Sequence, residues 1–447
     1  MTHKRLSSSP RLLPLLAAMG LCAMLPAQAQ SLVDLYAAAR DYDASYQSAK
    51  LQYDASVAKG EQARAGILPT VALTASASQV NVDAQTPASR NYNYSGQSAA
   101  ISASQPLYRP ANTATYEQGQ KQVAAAQAQL DVAGQDLIVR VSQAYFDVLA
   151  ARDNLTFVRA QKSAVAEQLA SAQRNFEVGT ATITDTREAQ ARFDLVIAQE
   201  LAAENDLKVK SLALDQLVGK QNTAPKGIVG QAALPPVLPA DVQAWVQKAS
   251  DEHPSLKQLK IAEEVAHMET RKAEAGHKPT LDLTASYGMS STNGGNASNT
   301  SDTRGSNTSV GVTFNLPLFA GFSVQNRIKE TLALEEKART DLEAAKRTIA
   351  QATRTAYFGV QSGMAQVKAL EAAEASSQSA LDANKLGYQV GVRINIDVLN
   401  SQSQLFDTKA KLAKARYDVL VGGLKLRQAS GVLTAEDLQP INQQLEK

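Results

Sequence analysis

Two hydrophobic periods share this chain. Between Asn112 and Phe176, apolar and small residues return at every seventh position. Val123, Leu130, Leu137, Ala144 and Ala151 make one row, and Val141, Val148 and Leu155 another. Heptad spacing holds such a row on one face of a helix. No proline occurs between Pro110 and Pro225 or between Pro317 and Pro440, and both intervals are rich in Ala, Gln, Leu, Glu, Lys and Arg. These are good helix formers. An unbroken helix from Asn112 to Phe176 spans about 98 Å at 1.5 Å per residue, far beyond an ordinary globular helix.

Four shorter stretches alternate with period two. In "TVALTASAS", Val71, Leu73, Ala75 and Ala77 oppose Ala72, Thr74, Ser76 and Ser78. In "TLDLTASYG", Leu281, Leu283, Ala285 and Tyr287 oppose Asp282, Thr284, Ser286 and Gly288. "VGVTFNLP" and "SAAISASQP" repeat the pattern around Val312 and Ile101. Such alternation predicts strands with one apolar and one polar face. They are expected at about 67–80, 96–107, 279–290 and 308–318, each pair joined by a loop rich in Asn, Ser and Gly.

The two halves match. "AGILPTVALTAS" from Ala65 corresponds to "AGHKPTLDLTAS" from Ala275, and "AYF" at Ala144 returns at Ala356. "FEVGTATITDTREAQ" from Phe176 returns, 212 residues later, as "YQVGVRINIDVLNSQ" from Tyr388. An internal duplication explains all three. Each half then reads helix, strand, loop, strand, long helix, glycine break, helix. The expected division is a first repeat over 30–224, a linker over 225–250, a second repeat over 251–430 and a tail over 431–447.

Residues 1–29 stand apart. "MTHKR" is basic, "LLPLLAAMGLCAML" is apolar, and "AQA" ends the stretch, the pattern of an export signal cut after Ala29. Its apolar run is too short for a spanning helix. Removing it takes Lys4, Arg5 and Arg11 and shifts the formal charge from +2 to −1, so no basic surface points to nucleic acid. It also takes Cys22, the one cysteine, leaving no disulfide or thiol chemistry.

The strands direct the reading towards a membrane. Little else in the chain is available to cover their apolar face. In a bilayer every backbone group must be paired, so strands must close into a barrel, and barrels begin at about eight strands. Four strands from one chain fall short; three chains supply twelve. The small polar residues on the opposite face suit a water-filled lumen.

These features resemble the TolC-type outer-membrane factors. The resemblance rests on the duplicated strand-hairpin halves, on "YQVGVRINIDVLNSQ" and "FEVGTATITDTREAQ", and on the ending "ASGVLTAEDLQPIN". It implies a mixed fold: a trimeric 12-stranded outer-membrane β-barrel, four strands per chain, continued by a long periplasmic α-helical barrel with coiled-coil hairpins. It implies an exit duct for type I secretion or tripartite drug efflux. The implied partners are two further copies in a homotrimer, a periplasmic adaptor, an inner-membrane ABC or RND transporter, and outer-membrane lipid.

The resemblance also gives roles to the glycine breaks. Gly179 and Gly391 turn the hairpins. Thr184 and Asp185 on one hairpin, with Tyr388 and Arg393 on the other, match polar latches between neighbouring hairpins. Asp397 matches a pore-lining aspartate at the constriction. Asn400 stands where the family often has a second acid, so the expectation is a ring of three carboxylates rather than six, with weaker block by multivalent cations. Asn395 is a natural position for crosslinking to an adaptor.

Catalysis finds little support. His253, His267 and His277 have no metal-ligand spacing and no cysteine beside them. No strand-to-helix phosphate loop follows the glycines, and neither cofactor nor metal is expected. Trp245 reads as the anchor of a small core, and Glu263 and Glu264 as a solvated helix face. The competing reading is a soluble periplasmic coiled-coil adaptor or scaffold. Adaptors, however, have one helical hairpin where this chain has two.

Overall fold

The computed structural model describes residues 30–84, 90–228, 234–294 and 301–445. The export signal with Cys22 lies outside the described residues. Helices α1 (Leu32–Tyr42) and α2 (Ala44–Arg64) lead into strands β1 (Thr70–Ala84) and β2 (Arg90–Tyr108). Helix α3 (Pro110–Glu177) then runs to a turn, and α4 (Ile183–Val218) returns. The second repeat copies the order in α5 (Val242–Glu252), α6 (Pro254–Glu274), β3 (Thr280–Asn293), β4 (Thr303–Asn315), α7 (Ser323–Gln389) and α8 (Asn395–Ala429). The long helices have 68 and 67 residues, and their return partners 36 and 35. At 1.5 Å per residue, α3 is about 102 Å long.

Helix α5 has 11 residues, as does α1, and is its counterpart. The linker boundary expected at 250 therefore falls inside a helix of the second repeat. Its N-cap is Asp241, whose carboxylate accepts from Gln243 N at 3.0 Å. Trp245 on α5 is buried, and its Nε1 donates to Pro239 O at 2.9 Å.

The strands form one antiparallel sheet in the order β1-β2-β3-β4, leaving β1 and β4 as edges. Val71, Ala103, Ala285 and Val310 stand in one cross-strand row, and Leu73, Ile101 and Tyr287 in a parallel one. Between these rows lie Ala72, Ser102, Ser286 and Ser309. Thr70, Ser104, Thr284 and Gly311 make a further row of that kind. Residues paired across strands share a face and successive rows alternate, so one face is apolar and the other small and polar. Hydroxyl pairs tie the polar face: Ser76 to Ser98 and Ser286 to Ser309, both at 2.8 Å.

The strands differ from their expected bounds at both ends. β1 begins at Thr70 rather than near 67, because Ala65–Ile67 form a 3-10 turn. At the far end, pairing continues through Asn81–Asn93 and Asp83–Asn91, where the polar sequence reads as loop. Backbone pairing sustains a hairpin after the apolar alternation stops. β1 and β2 have 15 and 19 residues, longer than the roughly 9–11 that cross a bilayer. Among the described residues, no helix is long and apolar enough to cross a membrane.

Where sheet meets helix, Arg109 reaches across the repeats to Asp282 on β3. The guanidinium is bidentate, with Nε–Oδ1 at 2.7 Å and Nη2–Oδ2 at 2.6 Å. Midway along the helices lies the largest core, built by both repeats and the tail. Leu32, Leu137, Tyr145, Phe146, Leu214, Leu424 and Leu438 are among its buried members. Phe146 stacks on Tyr417 with ring centroids 5.6 Å apart.

Asp43 braces the edge of this core. It separates α1 from α2, caps α2 by accepting from Tyr46 N at 2.8 Å, and receives Arg140 at 2.9 and 3.0 Å. The Arg140 hydrogen bond holds its carboxyl below the usual carboxylate range. A depressed folded pKa stabilises the fold above the unfolded value near 4, and that contribution disappears as pH falls through the folded value. Asp43→Ala is expected to cost about 2–3 kcal/mol at neutral pH. Thermal unfolding in detergent should show the deficit shrinking in acid below the carboxylate range.

Candidate functional site at the hairpin ends

Both hairpins end in the same backbone device. Gly179 and Gly391 each sit at φ +79°, and a Cβ at either would meet only open space, so the backbone conformation alone calls for glycine. At the first end, Thr180 N and Ala181 N donate to Asn175 O; at the second, Val392 N and Arg393 N donate to Gly387 O. A left-handed residue after the last turn lets the chain reverse while the exposed carbonyls stay paired.

The next residues diverge. Thr182 caps α4 and its Oγ1 accepts from Asp185 N at 3.2 Å, while Asp185 Oδ2 accepts from Thr182 N at 2.9 Å and from Thr182 Oγ1 at 2.7 Å. This is a complete capping box. In the second repeat the cap position is Ile394, which has no hydroxyl, and the matching acid is Asp397. Freed from capping, the Asp397 carboxylate faces Arg393 Nη1 at 3.7 Å, one helical turn away. Such a loose, exposed pair contributes only a few tenths of a kcal/mol.

Within this chain the structure joins the hairpins by other means than the expected latch pairs. Tyr388 Oη accepts from Asn175 Nδ2 at 3.2 Å, linking α7 to α3. Asp185 is engaged by its cap and Arg393 by Asp397. Thr184 is exposed. Asn400 Oδ1 accepts from Arg192 Nη2 on α4 at 2.8 Å.

Asn395 is the residue whose role the sequence reading missed. It is 0% exposed, donates through Nδ2 to Asp185 O at 3.3 Å, and accepts through Oδ1 from Gln168 Nε2 at 2.5 Å. One amide therefore ties α8 to both α3 and α4. Its burial removes it as a crosslinking position; Val392, 75% exposed at the extreme tip, takes that place. Small apolar clusters flank the tie: Val165, Leu169, Ala172, Ala189 and Leu399 on one side, and Leu381, Val398 and Leu405 on the other.

Among the described residues no group of histidine, cysteine and carboxylate side chains is placed to hold a metal. His253 instead caps α6, its Nδ1 accepting from Ser255 N at 3.1 Å. Glu264 pairs with Lys121 at 2.6 Å across helices.

A sheet with one apolar and one polar face, carried on helices of this length that end in glycine-turned hairpins, defines an outer-membrane channel with a periplasmic helical extension. The chain belongs to the outer membrane efflux protein family, whose model matches residues 35–220 and 245–432. It is 33% identical over 433 residues to the outer membrane protein TolC of Vibrio cholerae, covering 97% of this chain and 98% of that one. It is 31% identical over 420 residues to the alkaline protease secretion protein AprF of Pseudomonas aeruginosa, covering 92% and 86%. The fold is shared with the solved structure of VceC from Vibrio cholerae, with a TM-score of 0.74 at 19% identity, covering 90% and 96% of the chains. This family comprises channels, not enzymes, and the chain is an outer-membrane exit duct.

Asn395→Ala leaves the Asp185 carbonyl and the Gln168 amide without their partner. The expected cost is about 1–3 kcal/mol, localised to the tips. Hydrogen exchange should speed up at the start of α4 and α8 while the core around Tyr145 stays protected.

Proposed function

We propose that three copies of this chain form one duct, with twelve strands in the outer membrane and a gate at the periplasmic tips. The bare edges of β1 and β4 carry this reading. Their backbone groups need partners in hydrocarbon, and β4 of one copy against β1 of the next supplies them. The exposed apolar residues of the helices support it too. Leu201 and Leu212 on α4, and Leu332 and Phe358 on α7, lie uncovered in the single chain.

The gate joins neighbouring hairpins through Thr184, Asp185, Tyr388 and Arg393, with Asp397 ringing the constriction. In one chain Thr184 is exposed and Arg393 makes only a loose pair with Asp397, contacts that a neighbour can replace at little cost. An adaptor and an inner-membrane transporter open the tips. Relatives named for protease secretion and for efflux support both an ABC transporter of type I secretion and an RND transporter as the inner-membrane partner. The duct conducts passively.

Assembly is read on unheated gels of outer membranes: a trimer that collapses to monomer on boiling is expected, and a monomer at both temperatures contradicts it. The gate is read in planar bilayers. Tyr388→Phe with Arg393→Ser should raise single-channel conductance several-fold and sensitise cells to large antibiotics; a double variant as tight as the parent rejects the latch.

A further inference from the structure

Arg192 has no place in the latch or in the carboxylate ring, yet it reaches the residue beside that ring. On α8 the buried positions Asn395, Val398, Leu399, Gln402 and Leu405 mark one side of the helix. At 100° per residue, Asp397 lies on the far side. Its neighbours there are bounded on both flanks. Ser401 Oγ accepts from Asn384 Nδ2 on α7 at 2.6 Å, and Asn400 Oδ1 accepts from Arg192 Nη2 on α4 at 2.8 Å. The open sector between them contains Arg393 and Asp397, 3.7 Å apart.

The identity of residue 400 decides what Arg192 does. A carboxylate at this position would neutralise the guanidinium. An amide accepts the same hydrogen bond and leaves the positive charge in place. Among the described residues no carboxylate lies within ion-pair distance of Arg192. Arginine remains ionised at any accessible pH. Each chain therefore holds a fixed cation against Asn400, the residue one helical turn along α8 from its candidate ring carboxylate.

We propose that Arg192, held by Asn400, is a charge-selectivity determinant of the entrance: it offsets Asp397 and favours passage of anionic solutes relative to an all-carboxylate mouth. This rests on the trimeric pore with Asp397 at its constriction, and the test separates the two. Charged rings at a constriction set ion preference through their field, so the readout is the cation-to-anion permeability ratio, taken from reversal potentials in planar bilayers under a potassium chloride gradient. Variants are first checked for assembly on unheated gels.

Arg192→Gln is expected to raise the ratio by roughly twofold or more, while Arg192→Lys keeps the parental value. Asn400→Asp, which neutralises the arginine where it stands, should raise it as well. Arg192→Met replaces Arg192→Gln where the latter fails to assemble. A parental ratio in the neutral variant overturns the inference. So does an equal shift in the Gln and Lys variants, which assigns Arg192 a packing role. Asp397→Ala reports on the ring alone: a lowered ratio upholds the ring, whereas an unchanged ratio rejects it and leaves the Arg192 result to be read directly.

Discussion

An unpaired backbone group is not tolerated in hydrocarbon, and the rest of this molecule follows from that constraint. One chain offers four paired strands and two open edges. Among the described residues no further strand joins the sheet, so β1 and β4 keep their open edges within the chain. In the proposed trimer closure comes from copies, and copies arranged around an axis would bring their helices into a ring. In that arrangement the long helices would inherit an inner and an outer surface without any sequence signal of their own. Their exposed leucines and alanines would become contact surface, and the small polar residues of the sheet the wall of a water-filled passage. Arg109 and Asp282 fix the joint where the two regimes meet, by a bidentate pair that crosses from one repeat to the other.

Duplication supplies the pieces, and divergence between the repeats supplies function. Tyr145 and Tyr357 occupy matching positions and are both buried, but Phe146 is 1% exposed and its twin Phe358 is 54% exposed. The first fills the core of its own chain; the second is free for a neighbour. The same logic operates at the tips. Thr182 absorbs Asp185 into a capping box, whereas Ile394 cannot, and Asp397 is released. An ethyl group in place of a hydroxyl at one cap position thus releases an acid that its twin keeps in a capping box. The apolar Ile394, exposed in the chain, leaves α8 without a side-chain cap at that end.

Most of this architecture was legible in the sequence, for identifiable reasons. Period-two alternation marked the strands because one face meets lipid and the other water. The glycine twins marked the turns because a positive φ admits few other residues. Strand ends were not legible: above the bilayer both faces meet water, so Asn81, Asn91 and Asn93 carry no alternation although their backbones pair. The start of the second repeat was obscured by prolines that lie just before α5. At the tips the capping box was readable as Thr182 followed at the third position by Asp185, and its absence at Ile394 was equally readable. Asn395 and the Arg192–Asn400 contact were not, because each joins helices whose relative register only the packed structure fixes.

Stability is distributed unevenly along the hairpins, as the proposed gate would require. Near mid-helix, Tyr145, Phe146 and Tyr417 lock several elements together through buried area and ring contacts. Tyr145 also donates to Lys226 O at 2.8 Å. Burying one such aromatic stabilises by about 1.5–3 kcal/mol, and many act in concert. Towards the tips the core thins to two small clusters and a few amide and hydroxyl links, each worth about 1 kcal/mol net. A force applied at the tips therefore meets its least resistance there, and displacement fades as it reaches the equatorial core.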